Sequence, residues 1–195
     1  MHGLINRSLQ CFLRDTHGQP VWVAIARNAE LGFDSFEAML TYDPAVTDAV
    51  IDAAVRYLNR PRDAILEDLG TYLVSHPKLE PLRRLLRFGG ATFVDFLNSV
   101  EDLPGRGRLA VPDLDLPSLS LVYNGPDQFR LTCRSPLFGT GYVMLGLLRA
   151  MADDYGALVL LDYLGNHDGE DVISIHILDQ SFAAGRHFEL VAKAG

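Results

Sequence analysis

A chain of 195 residues, 48% apolar and 22% charged, has the material for one ordinary domain around a sizeable core and is too apolar for general disorder. A net charge of −8, with no basic stripe interleaved with aromatics, argues against nucleic acid or an anionic membrane as partner.

In chain order, Leu4, Ile5, Leu9, Phe12 and Leu13 recur at helical spacing up to the break at His17-Gly18-Gln19-Pro20. A short second helix carries Val21, Trp22 and Ile25. A third follows Tyr42-Asp43-Pro44, with Val46, Val50, Ile51, Ala54, Val55 and Leu58 on its inner face, and ends at Asn59-Arg60-Pro61. Ile65, Leu66 and Leu69 continue the pattern. From Pro81, two further helices are jointed at Gly89-Gly90. After Pro104-Gly105-Arg106-Gly107 the periodicity changes from helical to two-residue. Leu119, Leu121 and Tyr123 alternate, Asn124-Gly125-Pro126-Asp127 turns the chain, and Phe129, Leu131 and Cys133 alternate with Arg130, Thr132 and Arg134. One long helix with Val143, Met144, Leu147, Leu148 and Met151 inward precedes two strands, Ala157–Leu164 and Asp171–Leu178. The order predicts an α+β fold: one domain over 1–195, with a helical part at 1–103 docked on an antiparallel sheet with one long helix at 104–195.

Catalytic constellations are absent from the sequence: no G-x-S-x-G, P-loop, H-E-x-x-H or C-x-x-C occurs, so the chain is not expected to be an enzyme. Cys11 and Cys133 are too few for a disulfide framework and read as buried reduced thiols. His2, His17, His76, His167, His176 and His187 are scattered, and His167-Asp168 reads as a hairpin turn. No run resembles a signal peptide or a membrane span, so a cytoplasmic protein is expected. One pattern stands out. Arg130, Thr132 and Arg134 emerge from one strand face, either as a receptor for a carboxylate pair or phosphate or as an ordinary solvated face.

The segments Met1-His2-Gly3-Leu4-Ile5-Asn6 and Gly18-Gln19-Pro20-Val21-Trp22 resemble the opening of the haem-nitric-oxide/oxygen-binding (H-NOX) domain, the regulatory domain of soluble guanylate cyclases that also occurs alone in bacteria. The likeness continues through Tyr42-Asp43, Leu69-Gly70, 85–90, Phe96-Leu97, Leu109-Ala110-Val111-Pro112 and Gly146. It implies haem b as cofactor. The family's propionate-binding Y-x-S-x-R motif is placed on Arg130-Leu131-Thr132-Cys133-Arg134, so that Arg130, Thr132 and Arg134 face the cleft between helices and sheet. The resemblance also puts Ile5, Pro112 and Val143 against the porphyrin. The proximal histidine position, after Phe96-Leu97-Asn98-Ser99-Val100-Glu101-Asp102-Leu103, is held by Pro104, which offers iron no lone pair. His76, in Val74-Ser75-His76-Pro77, is the alternative ligand.

The resemblance implies a non-catalytic sensor of nitric oxide or oxygen acting on a separate partner, in bacteria a histidine kinase or cyclic-dinucleotide enzyme. Two alternatives stand beside it. One is a haem-free interaction or dimerisation domain whose pocket is filled by Phe88, Phe93, Phe138, Tyr142 and Met144. The other is a binder of another flat or anionic apolar ligand.

Overall fold

The computed structural model describes residues 1–186. Local chemistry at the helix ends explains where the elements fall. Helix α1 (Gly3–His17) begins where the Leu4 N–H donates to Nδ1 of His2 at 3.1 Å, and it stops at Gly18, whose φ of 94° suits glycine. Helix α2 (Gln19–Asn28) takes Pro20 in its first turn, where a missing N–H costs nothing. Asp43 caps α3 (Pro44–Leu58) by accepting from the Ala45 N–H at 2.9 Å, and Asn59 ends it in the left-handed region. Helix α4 (Arg62–Ser75) is followed by a 3-10 turn at Pro77–Leu79 and by α5 (Glu80–Arg87). A capping box opens α6 (Phe93–Asn98): the Asp95 N–H donates to Oγ1 of Thr92, and the Asp95 carboxylate accepts from the Thr92 N–H.

The helical region runs further than the residue-103 boundary expected from sequence. Helix α7 (Leu103–Ala110) contains Pro104 within its first turn, so the proline starts a helix instead of ending one. Glycines at 105 and 107 weaken helical propensity and hide this helix from a periodicity reading.

The sheet comprises β1 (Ser118–Gly125), β2 (Gln128–Arg134), β3 (Leu158–His167) and β4 (Glu170–Asp179), with α8 (Thr140–Tyr155) between β2 and β3. Strand order is β1-β2-β4-β3 and every pairing is antiparallel, which agrees with the expected class. The β3–β4 hairpin turns on Asp168 and Gly169, both at positive φ, the pair that a type I′ turn requires.

Two cores result. Leu9, Phe12, Leu13, Trp22, Ile25, Ile51 and Leu66 pack the helical core. Phe93, Phe96, Leu131, Cys133, Leu148, Ile173 and Ile175 pack the sheet against α6 and α8. The crossing of α4 and α8 connects them. A Cβ on Gly70 would collide with the Val143 carbonyl, and one on Gly146 with the Glu67 carbonyl. The two helices therefore meet backbone to backbone, and glycine is required on both.

A buried charge cluster fastens α5 to the end of α8. Asp154, 3% exposed, accepts from Nε of Arg83 at 2.8 Å and from Nη1 of Arg87 at 3.0 Å. Its own carbonyl accepts from Arg87 Nη1 at 2.9 Å and from the Arg186 N–H at 2.8 Å. Among the described residues no helix is long and apolar enough to cross a membrane.

Candidate ligand cavity

Between the helical part and α8 lies a cavity of about 380 Å³, within the usual range of about 300–1,000 Å³ for small-molecule sites. Its walls follow from the amphipathic faces of the surrounding elements. Helix α1 contributes Leu4, Ile5 and Ser8, α4 contributes Leu69 and Leu73, and α5 contributes Leu82, Leu85 and Leu86. Helix α7 adds Leu103, Pro104, Gly107 and Ala110, and the segment after it adds Val111, Leu114, Asp115 and Leu116. Ser135, Pro136 and Leu137, just past β2, and Thr140, Val143, Met144 and Leu147 of α8, with Met1, Pro117 and Leu119, complete the enclosure.

Asp171 sets the position of α8. Its buried carboxylate accepts from the Gly141 N–H at 2.7 Å, the Tyr163 hydroxyl at 2.7 Å and Nδ2 of Asn166 at 2.9 Å. A carboxylate at a helix N-terminus is favoured by the dipole and by the unpaired N–H groups there. Burial, reinforced by the Asp171 charge, pushes the Tyr163 phenol well above its ordinary range. Tyr163 therefore stays protonated and donating. The Asp171 side chain also occupies the space a Cβ on Gly141 would need.

The hydroxyls on the wall already have partners. Ser8 donates to the Leu4 carbonyl at 2.9 Å. Thr140 donates to the Leu137 carbonyl at 2.7 Å and lies 3.0 Å from Oγ of Ser135, which accepts from the Leu137 N–H at 3.2 Å. Assigning the Thr140 proton to Leu137 leaves the Ser135 proton for Thr140, so the three groups close a ring among themselves.

The residues singled out from sequence are divided by this geometry. Ile5 and Val143 stand on the cavity wall, and so does Pro104, which is buried. Pro112 is exposed and does not line the cavity, because the chain presents Val111 and Leu114 there. Arg130, Thr132 and Arg134 do not project into the cleft. Phe129, Leu131 and Cys133 take the core side of β2, so strand alternation turns the other three to the outer face of the sheet. Arg134 forms a surface pair with Glu170, its Nη2 2.6 Å from Oε1. The Y-x-S-x-R spacing also fits three residues later, at Cys133-Arg134-Ser135-Pro136-Leu137. This register retains the serine and places Ser135 and Leu137 on the wall. The arginine position is then a leucine.

Pocket filling by the named aromatics does not occur. Phe88 and Phe138 are exposed, Phe93 belongs to the sheet-side core, and Tyr142 stacks on Tyr163 with ring centroids 4.2 Å apart. Met144 alone of the five lines the cavity. His76 is absent from the lining; its ring lies 4.7 Å from that of Tyr72 and its Nε2 3.9 Å from Asp15. His2 caps α1, His17 lies against Phe12, His167 is exposed and His176 is on the outer sheet face. His187 lies outside the described residues.

Haem needs an axial donor for iron and partners for two carboxylates. Among the described lining residues there is no histidine, cysteine, tyrosine, arginine or lysine; the one ionisable side chain is the acid Asp115, the sulfurs are the thioethers of Met1 and Met144, and the Met1 ammonium donates to the Tyr42 carbonyl at 2.8 Å. This wall does not fit a histidine-ligated haem. Of what the sequence missed, Ser135 and Leu137 carried a signal in the shifted motif. Asp171 and the α5 leucines carried none, because a strand-end acid and a Leu-rich helix are ordinary features.

Residues 2–161 match the family model described as "Haem-NO-binding". Among curated proteins, soluble guanylate cyclase gcy-31 of Caenorhabditis elegans is 22% identical over 79% of this chain and 22% of its own length. Soluble guanylate cyclase 89Db of Drosophila melanogaster is 20% identical over 84% of this chain and 24% of its own. The chain thus spans about a quarter of the length of these relatives. An H-NOX protein from S. oneidensis in the Fe(II) ligation state superposes with a TM-score of 0.79 at 15% identity, covering 92% of this chain and 97% of that one. An unliganded Fe(II) H-NOX protein from K. algicida gives 0.75 at 15%, covering 94% and 100%.

Proposed function

The chain belongs to the haem-NO-binding (H-NOX) family of haem-based gas-sensing domains, and from that premise we propose that it is a non-catalytic sensor domain that has given up histidine-ligated haem. In this reading its signal is the occupancy of an apolar cavity, delivered to a separate signalling enzyme such as a histidine kinase or a cyclic-dinucleotide enzyme. One observation carries the proposal. The cavity has the walls of a ligand site, yet it presents Pro104 where a proximal histidine is expected and, among the described residues, offers no cationic side chain to a propionate. The donor set instead supports a ligand that is held by burial and shape.

The visible spectrum of protein purified from cells supplied with a haem precursor tests this. The expected result is no histidine-type Soret band in the wild type and a gain of haem in Pro104→His, whose imidazole would extend from a wall position. A wild type holding stoichiometric haem through a histidine overturns the proposal. Recovery of a histidine kinase or cyclic-dinucleotide enzyme with the tagged protein, with its activity altered by the domain, tests the partner half.

A further inference from the structure

Resting on the reading of a haem-free cavity, we propose that this cavity binds an uncharged, predominantly aliphatic small molecule and selects against carboxylates. The wall is hydrocarbon over most of its extent, with Leu73, Leu85, Leu86, Leu137, Val143 and Met144 among the lining side chains. Burial against such surface stabilises a ligand in proportion to the apolar area removed from water, and it needs no directional polar contact.

Polar groups that would favour an anion are missing or committed elsewhere. Ser135 and Thr140 complete their hydrogen bonds with each other and with Leu137, and Ser8 is bonded to its own helix. None has a donor left over for a headgroup. Asp115 brings negative charge to the exposed side of the enclosure, where it repels a carboxylate and leaves an alcohol or hydrocarbon unaffected. The Met1 ammonium, on a residue of the wall, donates to the Tyr42 carbonyl at 2.8 Å, and Arg106 and Arg108 border a second depression that shares Pro104 and Leu119 with the cavity. Arg106 is further engaged by Asp102 at 3.6 Å and by the Phe88 ring, 5.6 Å from its centroid. An anionic ligand would therefore meet no cationic side chain among the described residues of this wall.

Displacement of the neutral fluorophore N-phenyl-1-naphthylamine from the full chain, by 1-dodecanol or by dodecanoate at pH 8, tests the inference. The two competitors share a chain and differ in charge. 1-Dodecanol should compete at least about tenfold more tightly, equivalent to about 1.4 kcal/mol. Asp115→Arg changes an exposed residue and should raise the affinity for dodecanoate relative to that for 1-dodecanol. Leu85→Trp, which intrudes on the cavity, should abolish fluorophore binding; should it fail to fold, the wild-type ratio and the Asp115→Arg shift still decide. Equal or tighter competition by dodecanoate in the wild type overturns the inference, as does failure of both the fluorophore and the alcohol to bind. The absorption spectrum of the same sample separates the two readings. A histidine-ligated haem removes both, whereas haem-free protein that ignores the alcohol removes this one alone.

Discussion

Replacing Asp154 by alanine removes a carboxylate that two arginines share, and the structure sets the size of the penalty. Arg83 is 3% exposed and would lose its 2.8 Å contact to Oδ1. Arg87 would lose its contact to Oδ2 but keep the one to the backbone carbonyl at 2.9 Å. Breaking a buried pair by removing one partner costs about 3–5 kcal/mol. Arg83 retains Glu80, with Nη1 3.1 Å from Oε1, so the loss should fall at the lower end, about 3 kcal/mol. For a chain of this size that corresponds to a midpoint lowered by about 6–12 °C. Urea denaturation followed by circular dichroism measures it directly. The companion variant Asp154→Leu with Arg83→Met, which removes acceptor and donor together, should recover part of the loss, because like-sized apolar replacements for buried pairs are often neutral. A penalty below about 1 kcal/mol for Asp154→Ala, the range of surface pairs, would refute the view that this cluster is a buried fastening.

Gly146→Ala should destabilise the fold by about 1–3 kcal/mol through overpacking at the α4–α8 crossing, measured by the same denaturation. Arg134→Ala, which opens only an exposed pair with Glu170, should cost under about 1 kcal/mol and leave fluorophore binding unchanged; a lost cavity ligand would return this arginine to the site. Burial, aided by the Asp171 charge, pushes the Cys133 thiol up to about 12. Native protein at pH 8 should therefore show slow thiol titration at this position, with full reactivity only after unfolding. Burial alone would raise the Asp15 carboxyl, but hydrogen bonds from Arg14 and Tyr72 prevail and hold it below its ordinary range. The stability this contributes is complete above the unfolded pKa of about 3.9 and is lost as pH falls through the lower folded value. Asp15→Asn should flatten the acid limb of a stability–pH curve.

Element types and order were legible from periodicity alone, because Leu9, Phe12 and Leu13, or Phe129, Leu131 and Cys133, recur at spacings that only one secondary structure satisfies. Helix α7 was not legible. Its proline and glycines carry low intrinsic propensity, and the helix forms because Pro104 and Gly107 are buried against neighbours. The site was read less well than the fold for a related reason. Arg130, Thr132 and Arg134 share a face, as alternation requires, but alternation cannot say which face of a sheet the helices cover. The burial of Phe129, Leu131 and Cys133 decides that, and the apolar partners on that side were present in the sequence. Weighting Ser135-Pro136-Leu137 over the charged triplet would have needed the expectation of an apolar site. The charges pointed the other way.

The glycine crossing of α4 and α8 divides the cavity into a stiff half and a yielding half. Leu69, Leu73, Val143, Met144 and Leu147 all project from the two helices that touch through their backbones, and with no side-chain layer at that crossing there is little slack to take up. The opposite boundary is made by short α7 and the irregular run from Val111 to Pro117, where few backbone groups are locked into a ladder. Molecules of different bulk would therefore be accommodated on one side only, and the displacement would always have the same direction: away from α8 and toward the α7 side. A container that can expand along a single axis converts the size of its contents into the position of one surface.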